Sequence, residues 1–309
     1  RSARKEPGLD RASVIVSAID IGSNSVRMLT MGEAGAETRR EVEVTGLARG
    51  LDASRLLSAE AVAETEVVLE RFARLVDVDG SEAVGVVATS ASRDAINGPD
   101  VMKRFELILG VSPEVIDGTR EASLSFAGAT AGLHGGSHVV VDIGGGSTEI
   151  VAGTHVVTST DSYDIGSVRL TDRCSLRYPA SSRKLVDARE AVRSVLANSK
   201  HPSSTEVIGV AGTFTSIAGI VLGLDRYDRS RVHGTELSKG EIDATIELLA
   251  DMRLDEVAAI PSLDPRRAPV ILGGALVASE VMAALGAATA TVSEHDLLDG
   301  LAAEVARAG

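Results

Sequence analysis

The stretch Val141-Asp142-Ile143-Gly144-Gly145-Gly146-Ser147-Thr148 nearly repeats an earlier one, Ala18-Ile19-Asp20-Ile21-Gly22-Ser23-Asn24-Ser25. In both stretches an aspartate ends an apolar run and is followed by glycine and hydroxyl residues. Such an internal repeat indicates a duplicated domain. The chain is apolar again after each copy, so we predict that each loop joins two strands of a hairpin instead of leading into a helix. A dinucleotide-binding or Walker-type loop would lead into a helix.

Apolar runs and helical patterns alternate along the rest of the chain. Runs typical of strands cover residues 14–19, 83–88, 139–143 and 207–210, and helical periodicity covers 59–76 and 239–252. The alternation predicts an α/β protein with largely buried strands. The most apolar stretch, 270–290, contains Glu280 and three glycines, so we expect a loop and a core helix there and no membrane span.

Composition limits the possible functions. The 309 residues are 44% apolar, enough for two modest cores, and the length favours two domains. A net charge of −13, 2% aromatic residues and no tryptophan argue against nucleic acid as a partner, so a polyanionic ligand would need a local basic patch. Cys174 is the only cysteine, which excludes an intramolecular disulfide and fits a reducing, cytoplasmic compartment.

The residue types of the two repeated loops are suited to binding phosphate. Glycine lets backbone N–H groups approach an anion closely, and Ser and Thr hydroxyls add further donors. The candidates for phosphate binding in these loops are Gly22, Ser23, Asn24, Ser25, Gly144, Gly145, Gly146, Ser147 and Thr148. Asp20 and Asp142 would repel a bound phosphate unless a cation such as Mg²⁺ lay between them, so both are candidate metal ligands. Each loop alone could equally be a tight turn capped by its aspartate, but the repetition argues against this alternative.

Two further glycine-rich segments follow apolar runs. Gly212-Thr213 precedes a helical pattern, and the N-terminus of a helix after such a turn is a favourable anion site, so both residues are phosphate-binding candidates. Gly273-Gly274 is expected to form a similar turn. Ordinary strand-to-helix connections remain the alternative for both segments.

Several charged residues stand near these loops in the sequence. Glu121 begins a helical pattern, where its carboxylate could be a positioned base or, as spacing alone favours, a partner of the helix N-terminus. Glu149 directly follows the second loop, although strand alternation could direct it to the opposite face. Arg93 could bind phosphate oxygens or form a surface ion pair with an aspartate. Asp296, in the pair His295-Asp296, is expected to cap the last helix.

Seven segments carry a resemblance to a known family. They are AIDIGSNSVRML (18–29), ATSASRDAIN (88–97), IDGTREA (116–122), VDIGGGSTEIV (141–151), GSVRLTDR (166–173), GVAGTFTSIAG (209–219) and SEHDLLDG (293–300). Together they resemble the exopolyphosphatase and guanosine pentaphosphate phosphatase (Ppx/GppA) family, a branch of the actin-like ATPase superfamily. The resemblance extends from about residue 14 to about residue 305 and implies a duplicated actin-like (ribonuclease H-like) ATPase fold with two domains around a cleft.

The resemblance also implies roles for individual residues. Glu121 matches the family's catalytic glutamate, the general base for water. Asp142 and Glu149 match carboxylates that position Mg²⁺ and the nucleophile, and Arg93 matches an arginine of the cleft. Arg27 and Arg169, which stand in matched segments, complete the candidate phosphate contacts. The family often has Ser at position 117 and Glu at position 120, where this chain has Asp117 and Arg120.

We therefore expect a Mg²⁺-dependent exopolyphosphatase that removes the terminal phosphate of inorganic polyphosphate. The alternatives are a guanosine pentaphosphate phosphohydrolase, an actin-like kinase or chaperone, and a non-enzymatic sensor of polyphosphate or stringent-response nucleotides. By resemblance, domain I covers residues 13–132 and domain II covers 133–309. The last helix, from about residue 295, could fold back onto domain I. Longer family members carry a C-terminal module that this sequence does not contain, so short polymers should be hydrolysed at least as well as long ones. A homodimer is left open.

Overall fold

The computed structural model describes residues 14–32, 35–133, 136–154, 156–197 and 206–308, which form two mixed β-sheets surrounded by helices. Sheet one contains β1 (Val16–Ile21), β2 (Ser25–Met31), β3 (Glu37–Val44), β4 (Ala83–Ala88) and β5 (Glu114–Val115). Sheet two contains β6 (His138–Ile143), β7 (Thr148–Gly153), β8 (Val157–Tyr163), β9 (Val207–Val210), β10 (Glu236–Ser238) and β11 (Thr289–Val292). The predicted domain ends Ser13 and Gly309 lie outside the described residues.

Thirteen α-helices connect and cover these strands within the described ranges. They are α1 (Leu51–Ser54), α2 (Ala59–Asp79), α3 (Ser90–Asp94), α4 (Gly98–Leu109), α5 (Gly118–Ala129), α6 (Ser167–Cys174), α7 (Ser182–Leu196), α8 (Ala211–Val221), α9 (Arg229–Val232), α10 (Lys239–Asp251), α11 (Leu254–Ala258), α12 (Ala268–Ala284) and α13 (Leu297–Ala308). The helices predicted at 59–76 and 239–252 are α2 and α10, each starting behind a serine cap, Ser58 and Ser238.

The sequence repeat corresponds to a repeat of topology. Sheet one has the order β3-β2-β1-β4-β5, and sheet two, read from β8, has the order β8-β7-β6-β9-β11-β10. In each sheet the first three strands of this order are antiparallel neighbours. The fourth strand, β4 or β9, pairs in parallel with the third, β1 or β6. Both hairpin predictions are confirmed, and so is the prediction of a duplicated α/β fold.

Strand β1 is buried on both faces, as the apolar runs predicted. Ile19 lies in a core with Phe72 of α2 and Phe105 of α4, whereas its neighbour Ala18 faces α13 and contributes to a second core with Leu298. Successive residues of a strand point to opposite faces, so helices must cover both sides of the sheet. Strand β1 starts two residues later than predicted and runs to Ile21, where the first glycine turn begins.

The last helix of the chain crosses α5 at two glycines and covers sheet one. A Cβ at Gly128 would lie 1.9 Å from the carbonyl oxygen of Asp296, and a Cβ at Gly300 would lie 2.1 Å from that of Leu124. The two backbones therefore touch, which only glycine permits. Helix α13 also contacts β1, β2 and β4. Where one domain ends and the next begins stays a prediction.

The predicted turn at Gly273-Gly274 is wrong, because both glycines lie inside helix α12. A Cβ at Gly273 would come within 2.4 Å of Thr171 Oγ1, and a Cβ at Gly274 within 2.9 Å of Thr213 Cγ2. These glycines serve close packing of α12 against α6 and α8. The segment Pro265–Ala284 is long and apolar enough to cross a membrane by composition, but 72% of its most apolar window is buried inside the protein, as in a core helix.

We predict that Gly300→Ala lowers the free energy of unfolding by about 1 to 3 kcal/mol, the range for overpacking, because the added methyl group meets rigid backbone. Denaturant unfolding measures the change. Gly240→Ala in α10 is the matched control, since its Cβ would be 3.9 Å from the nearest atom, and it should be neutral or stabilising by up to about 1 kcal/mol. Equal effects of the two substitutions would contradict the close crossing.

Candidate functional site

The two repeated loops adopt the same turn. The amide of Gly22 donates to the carbonyl oxygen of Ser25 at 3.0 Å, and the amide of Gly144 donates to that of Ser147 at 3.1 Å. Each turn closes a hairpin, so the aspartate before it faces a residue of the next strand. Asp20 lies opposite Arg27, and Asp142 lies opposite Glu149. Cross-strand partners share a face, so Glu149 accompanies Asp142.

The two turns lie against each other. A Cβ at Gly145 would be 2.9 Å from Ser23 Cβ and 3.1 Å from the amide nitrogen of Asn24, and a Cβ at Gly146 would be 2.5 Å from Ser90 Oγ. Ser23 and Ser90 are themselves joined by a hydrogen bond of 2.8 Å between their hydroxyl oxygens. Glycine in the second turn therefore permits the close approach of the two sheets.

A cavity of about 540 Å³ opens beside the joined turns. Most of the predicted site residues line it: Asp20, Gly22, Ser23, Asn24, Ser25, Arg27, Glu121, Asp142, Gly144, Gly145, Ser147, Gly212 and Thr213. Gly212 and Thr213 belong to the first turn of α8, which starts directly after β9 at Ala211, a residue with a left-handed φ of 62°. The helix N-terminus predicted there is confirmed, and Gly212 and Thr213 of its first turn, whose amides have no partner within the helix, line the cavity.

Four carboxyl groups come together at the bottom of the cleft. Asp20, Glu121, Asp142 and Glu149 are each at most 7% exposed. Asp142 accepts a hydrogen bond from Ser125 of α5 at 2.5 Å, and Glu149 accepts one from Ser162 of β8 at 2.8 Å. One oxygen each of Asp20, Glu121 and Glu149 is buried and has no hydrogen-bond partner within the described residues.

Burial and mutual repulsion shift the pKa values of this group upward. Burial and the negative charge of Asp296 raise the pKa of Asp142 to about 6, against the hydrogen bond from Ser125. Burial and Asp142 raise the pKa of Glu149 to about 8, and burial followed by Glu149 and Asp142 raises the pKa of Glu121 well above its usual range. Burial also raises the pKa of Asp20, although Arg27 opposes the shift. These groups cannot all be ionised unless a cation joins them.

Glu121 stands in the first turn of α5, above Glu149. Asp117 caps the helix by accepting from the amide of Arg120 at 2.8 Å, and Gly118 lets the helix start against Ser162. The side chain of Arg120 points away, to Glu304 of α13. Arg120 therefore does not displace Glu121 from the cleft.

Two predicted arginines lie beside the carboxylates. Arg93 places Nη1 3.7 Å from Glu121 Oε2 and donates to the carbonyl oxygen of Ile116 at 2.9 Å, without lining the cavity. Arg27 lines the cavity, but its guanidinium is paired with Asp20 at 2.6 Å and with Asp296. Asp296 also caps α13 by accepting from the amide of Leu298, so the predicted capping is confirmed and an ion pair is added to it.

Besides Arg93, three further predicted phosphate contacts are not brought to the cavity. Thr148 donates its hydroxyl to the carbonyl oxygen of Ile165 at 2.6 Å, and Gly146 faces Ser90. Arg169 donates to the carbonyl oxygen of Gly146 at 2.6 Å and pairs with Asp52 and Asp94 of the first half. It therefore joins the two halves behind the turns, and its phosphate role stays a prediction.

Comparisons with known proteins show which family the chain belongs to. The chain matches the Ppx/GppA phosphatase family over residues 36–307. The chain belongs to this family. It is 37% identical to Exopolyphosphatase 2 of Mycobacterium tuberculosis, covering 94% of this chain and 98% of that protein. A crystal structure of an exopolyphosphatase-like protein superimposes with a TM-score of 0.91 at 33% identity, covering 96% and 99% of the two chains. The Ppx/GppA phosphatase of Aquifex aeolicus superimposes with a TM-score of 0.78 at 28% identity, covering 96% and 99%.

Three arginines that line the cavity, Arg40, Arg229 and Arg267, were not among the sequence predictions. Arg267, in the turn of 3₁₀-helix before α12, lines the cavity and lies against α8, where a Cβ at Gly212 would be 1.9 Å from its Nη1. Within the described residues its guanidinium has no hydrogen bond or ion pair, and burial lowers the pKa of Arg267. Its segment, Asp264-Pro265-Arg266-Arg267, carries no motif that could have indicated this position.

The carboxylates suit a divalent cation. Mg²⁺ is usually held by one or two carboxylates together with water and substrate phosphates, and not by a cage of protein ligands. Asp20, Asp142 and Glu149 do not by themselves form a group of three that could hold a metal ion, and no other three acidic, histidine or cysteine side chains do so among the described residues. Asp20, Asp142 and Glu149 line or adjoin the cavity, and the buried oxygens of Asp20 and Glu149 without a partner fit such a group.

We predict that Arg267→Ala weakens the binding of tripolyphosphate by about 1.5 to 3 kcal/mol, the range for hydrogen bonds to charged groups, because it removes a cation with no acidic partner. Calorimetric titration measures this. Gly212→Ala should act in the same direction, since its methyl group would push the guanidinium away. Arg253→Ala, which removes an exposed arginine paired with Asp255, is the control. Unchanged affinity of folded Arg267→Ala would contradict the contact.

Proposed function

We propose that this protein is an exopolyphosphatase that hydrolyses the terminal phosphate of inorganic polyphosphate with the help of Mg²⁺. The observation that carries the proposal is the convergence of four buried carboxyl groups beside two joined glycine turns. The turns and the N-terminus of α8 offer N–H donors to phosphate, and the carboxylates offer a cation site and a base. The name of the M. tuberculosis relative supports the same activity.

Phosphate binding and cation binding are then assigned to different residues of the chain. Phosphoryl transfer depends on positioning and charge neutralisation more than on covalent chemistry. The amides of the two turns and of Gly212 and Thr213, with the guanidinium of Arg267, would hold the terminal phosphate. When bound, Mg²⁺ would neutralise phosphate charge, held by one or two of Asp142, Glu149 and Asp20 together with water and phosphate oxygens. No covalent phosphoenzyme is needed.

Glu121 is proposed as the general base that orients and deprotonates the attacking water. Its Oε2 is buried in the cleft and accepts no hydrogen bond within the described residues, and the raised pKa makes its carboxylate a stronger base. Arg93, 3.7 Å away, would keep it oriented. Because Arg120 points to Glu304, the arrangement also favours an enzyme over a sensor without activity.

The domain boundaries, the cellular compartment and the alternative substrate belong to the same proposal. Residues 13–132 and 133–309 would form the two domains of the cleft, with α13 returning to the first. The single, partly buried Cys174 fits the reducing cytoplasm. Guanosine pentaphosphate is the alternative substrate, because the same turns could hold its terminal phosphate. Phosphate release from it should be measured beside phosphate release from polyphosphate.

We predict that Glu121→Gln lowers the turnover number for phosphate release from tripolyphosphate by about 100-fold or more, because the amide cannot accept the proton. Calorimetry should show that substrate binding is retained. Glu114→Gln, at an exposed position of β5 next to the same helix, serves as the control and should keep its activity. Equal turnover of the wild-type protein and Glu121→Gln would remove Glu121 from the mechanism.

We further predict that EDTA abolishes phosphate release and that added Mg²⁺ restores it, since the buried carboxylates repel phosphate without a cation. Asp142→Asn should raise the Mg²⁺ concentration needed for half-maximal rate. Asp100→Asn, on the exposed side of α4, should not. Full activity after exhaustive chelation would refute the metal site.

A further inference from the structure

Two ion pairs connect the halves of the molecule at the edge of the cleft. Strand β3, the outer strand of sheet one, presents Glu37 to Arg229 of α9 at 2.7 Å and Glu43 to Arg266 at 2.9 Å. We call these the rim pairs. Arg266 also donates to the carbonyl oxygen of Val44 at 3.2 Å, so it contacts both a side chain and the backbone of β3.

The rim pairs stand where the cavity meets the surface. Arg229 lines the cavity together with Val42 of β3, and its side chain is 35% exposed. Arg266 is the sequence neighbour of Arg267, but its side chain is 52% exposed and does not line the cavity. The guanidinium of Arg267 thus lies inside the cavity without an ion pair, whereas the guanidinium groups of Arg229 and Arg266 lie farther out and are paired.

In each rim pair a glutamate of β3 occupies one side of a guanidinium that a phosphate would otherwise bind. The same guanidinium keeps a second carboxylate of its own half, Glu294 beside Arg229 at 2.8 Å and Asp264 beside Arg266 at 3.2 Å. Guanidinium groups bind both anions with the same planar fork. Because the pairs are partly exposed, each is worth only about 0 to 1 kcal/mol, so a phosphate could displace the glutamate. A cavity of about 540 Å³ is in the range that encloses a small ligand whole. A short polyphosphate can therefore bind without opening the rim.

We infer that the part of a long polyphosphate that the cavity cannot hold extends to the surface past the rim pairs. There Glu37 and Glu43 limit the length of the bound chain, because they compete with its phosphates for Arg229 and Arg266. This inference rests on the proposed function. The two glutamates are specificity-determining residues, since they oppose long substrates and leave short ones unaffected. Arg229 and Arg266 form the outer part of the substrate site once they are released.

The test compares the binding of long-chain polyphosphate with that of tripolyphosphate. The Glu121→Gln protein, in which hydrolysis is slow, provides the background for calorimetry, with concentrations expressed per chain end. Adding Glu37→Gln and Glu43→Gln should raise affinity for the long polymer by about three- to tenfold relative to tripolyphosphate, which corresponds to two weak ion pairs. Glu41→Gln is the matched control, because Glu41 lies on the same strand and shares Arg71 with Glu43 but pairs only with Arg39 and Arg71 of its own half. It should leave the ratio unchanged.

A second comparison distinguishes competition with phosphate from a purely structural role, in which the ion pair only holds the two halves together (a clasp). Glu43→Gln and Arg266→Gln both break the same ion pair, but they leave opposite charges behind. Competition predicts that Glu43→Gln raises and Arg266→Gln lowers the relative affinity for the long polymer, each by about two- to fivefold. A clasp would move both variants in the same direction.

The inference is overturned if the double variant leaves the affinity ratio unchanged, or if Glu43→Gln and Arg266→Gln shift it in the same direction. Opposite shifts support it. Phosphate release by the wild-type protein is measured separately. A wild-type protein that releases no phosphate from either substrate would refute the proposed exopolyphosphatase, whereas the binding ratios would still decide whether the glutamates compete with phosphate.

Discussion

The repulsion among four buried carboxyl groups is the constraint on which the site depends. Asp20, Glu121, Asp142 and Glu149 come from two sheets and one helix, and burial raises the pKa of each. A core assembled for stability alone would not place them together, because leaving charges buried and unpaired costs several kcal/mol. Their grouping makes sense when a cation completes the set, and a phosphate is then attracted to a place that would otherwise repel it.

The fold holds this unfavourable group in place by close backbone contacts. The turns meet at Gly145, and α5, which carries Glu121, is fixed against α13 at Gly128 and Gly300. Helix α13 therefore determines where Glu121 of the first half stands relative to Asp142 of the second. Since these contacts join backbone to backbone, they can position a side chain more rigidly than flexible ion pairs at the surface.

Much of this arrangement could be predicted from the sequence, because it follows from local patterns. The hairpin turns follow from apolar residues on both sides of the glycines, and the start of α8 follows from Gly212-Thr213 behind a strand. The turn predicted at Gly273-Gly274 failed because glycine marks close helix packing as well as turns, and the difference depends on neighbours distant in sequence.

The arginines could not be placed in this way, since their roles depend on which carboxylate lies within reach after folding. Arg169 stands in a matched motif and yet joins the two halves behind the turns, whereas Arg267 stands in no motif and lines the cavity. Sequence spacing fixes the face of a strand or helix, but it does not show which ion pairs form across a cleft.

These pairings also explain how a protein with a net charge of −13 can accept a polyanion without strong long-range attraction. Arg27 and Arg229 are neutralised by acids of the protein itself, and Arg267 alone among the cavity-lining arginines of the described residues has neither an ion pair nor a hydrogen bond. Electrostatic steering of a free polyanion is therefore weak. In the proposed mechanism, binding rests on short-range contacts, namely backbone N–H groups, one free guanidinium and a cation shared with the substrate. A polyphosphate that already carries Mg²⁺ has less charge to be repelled and supplies the cation that the carboxylates need, so we expect the metal complex to be the species that binds.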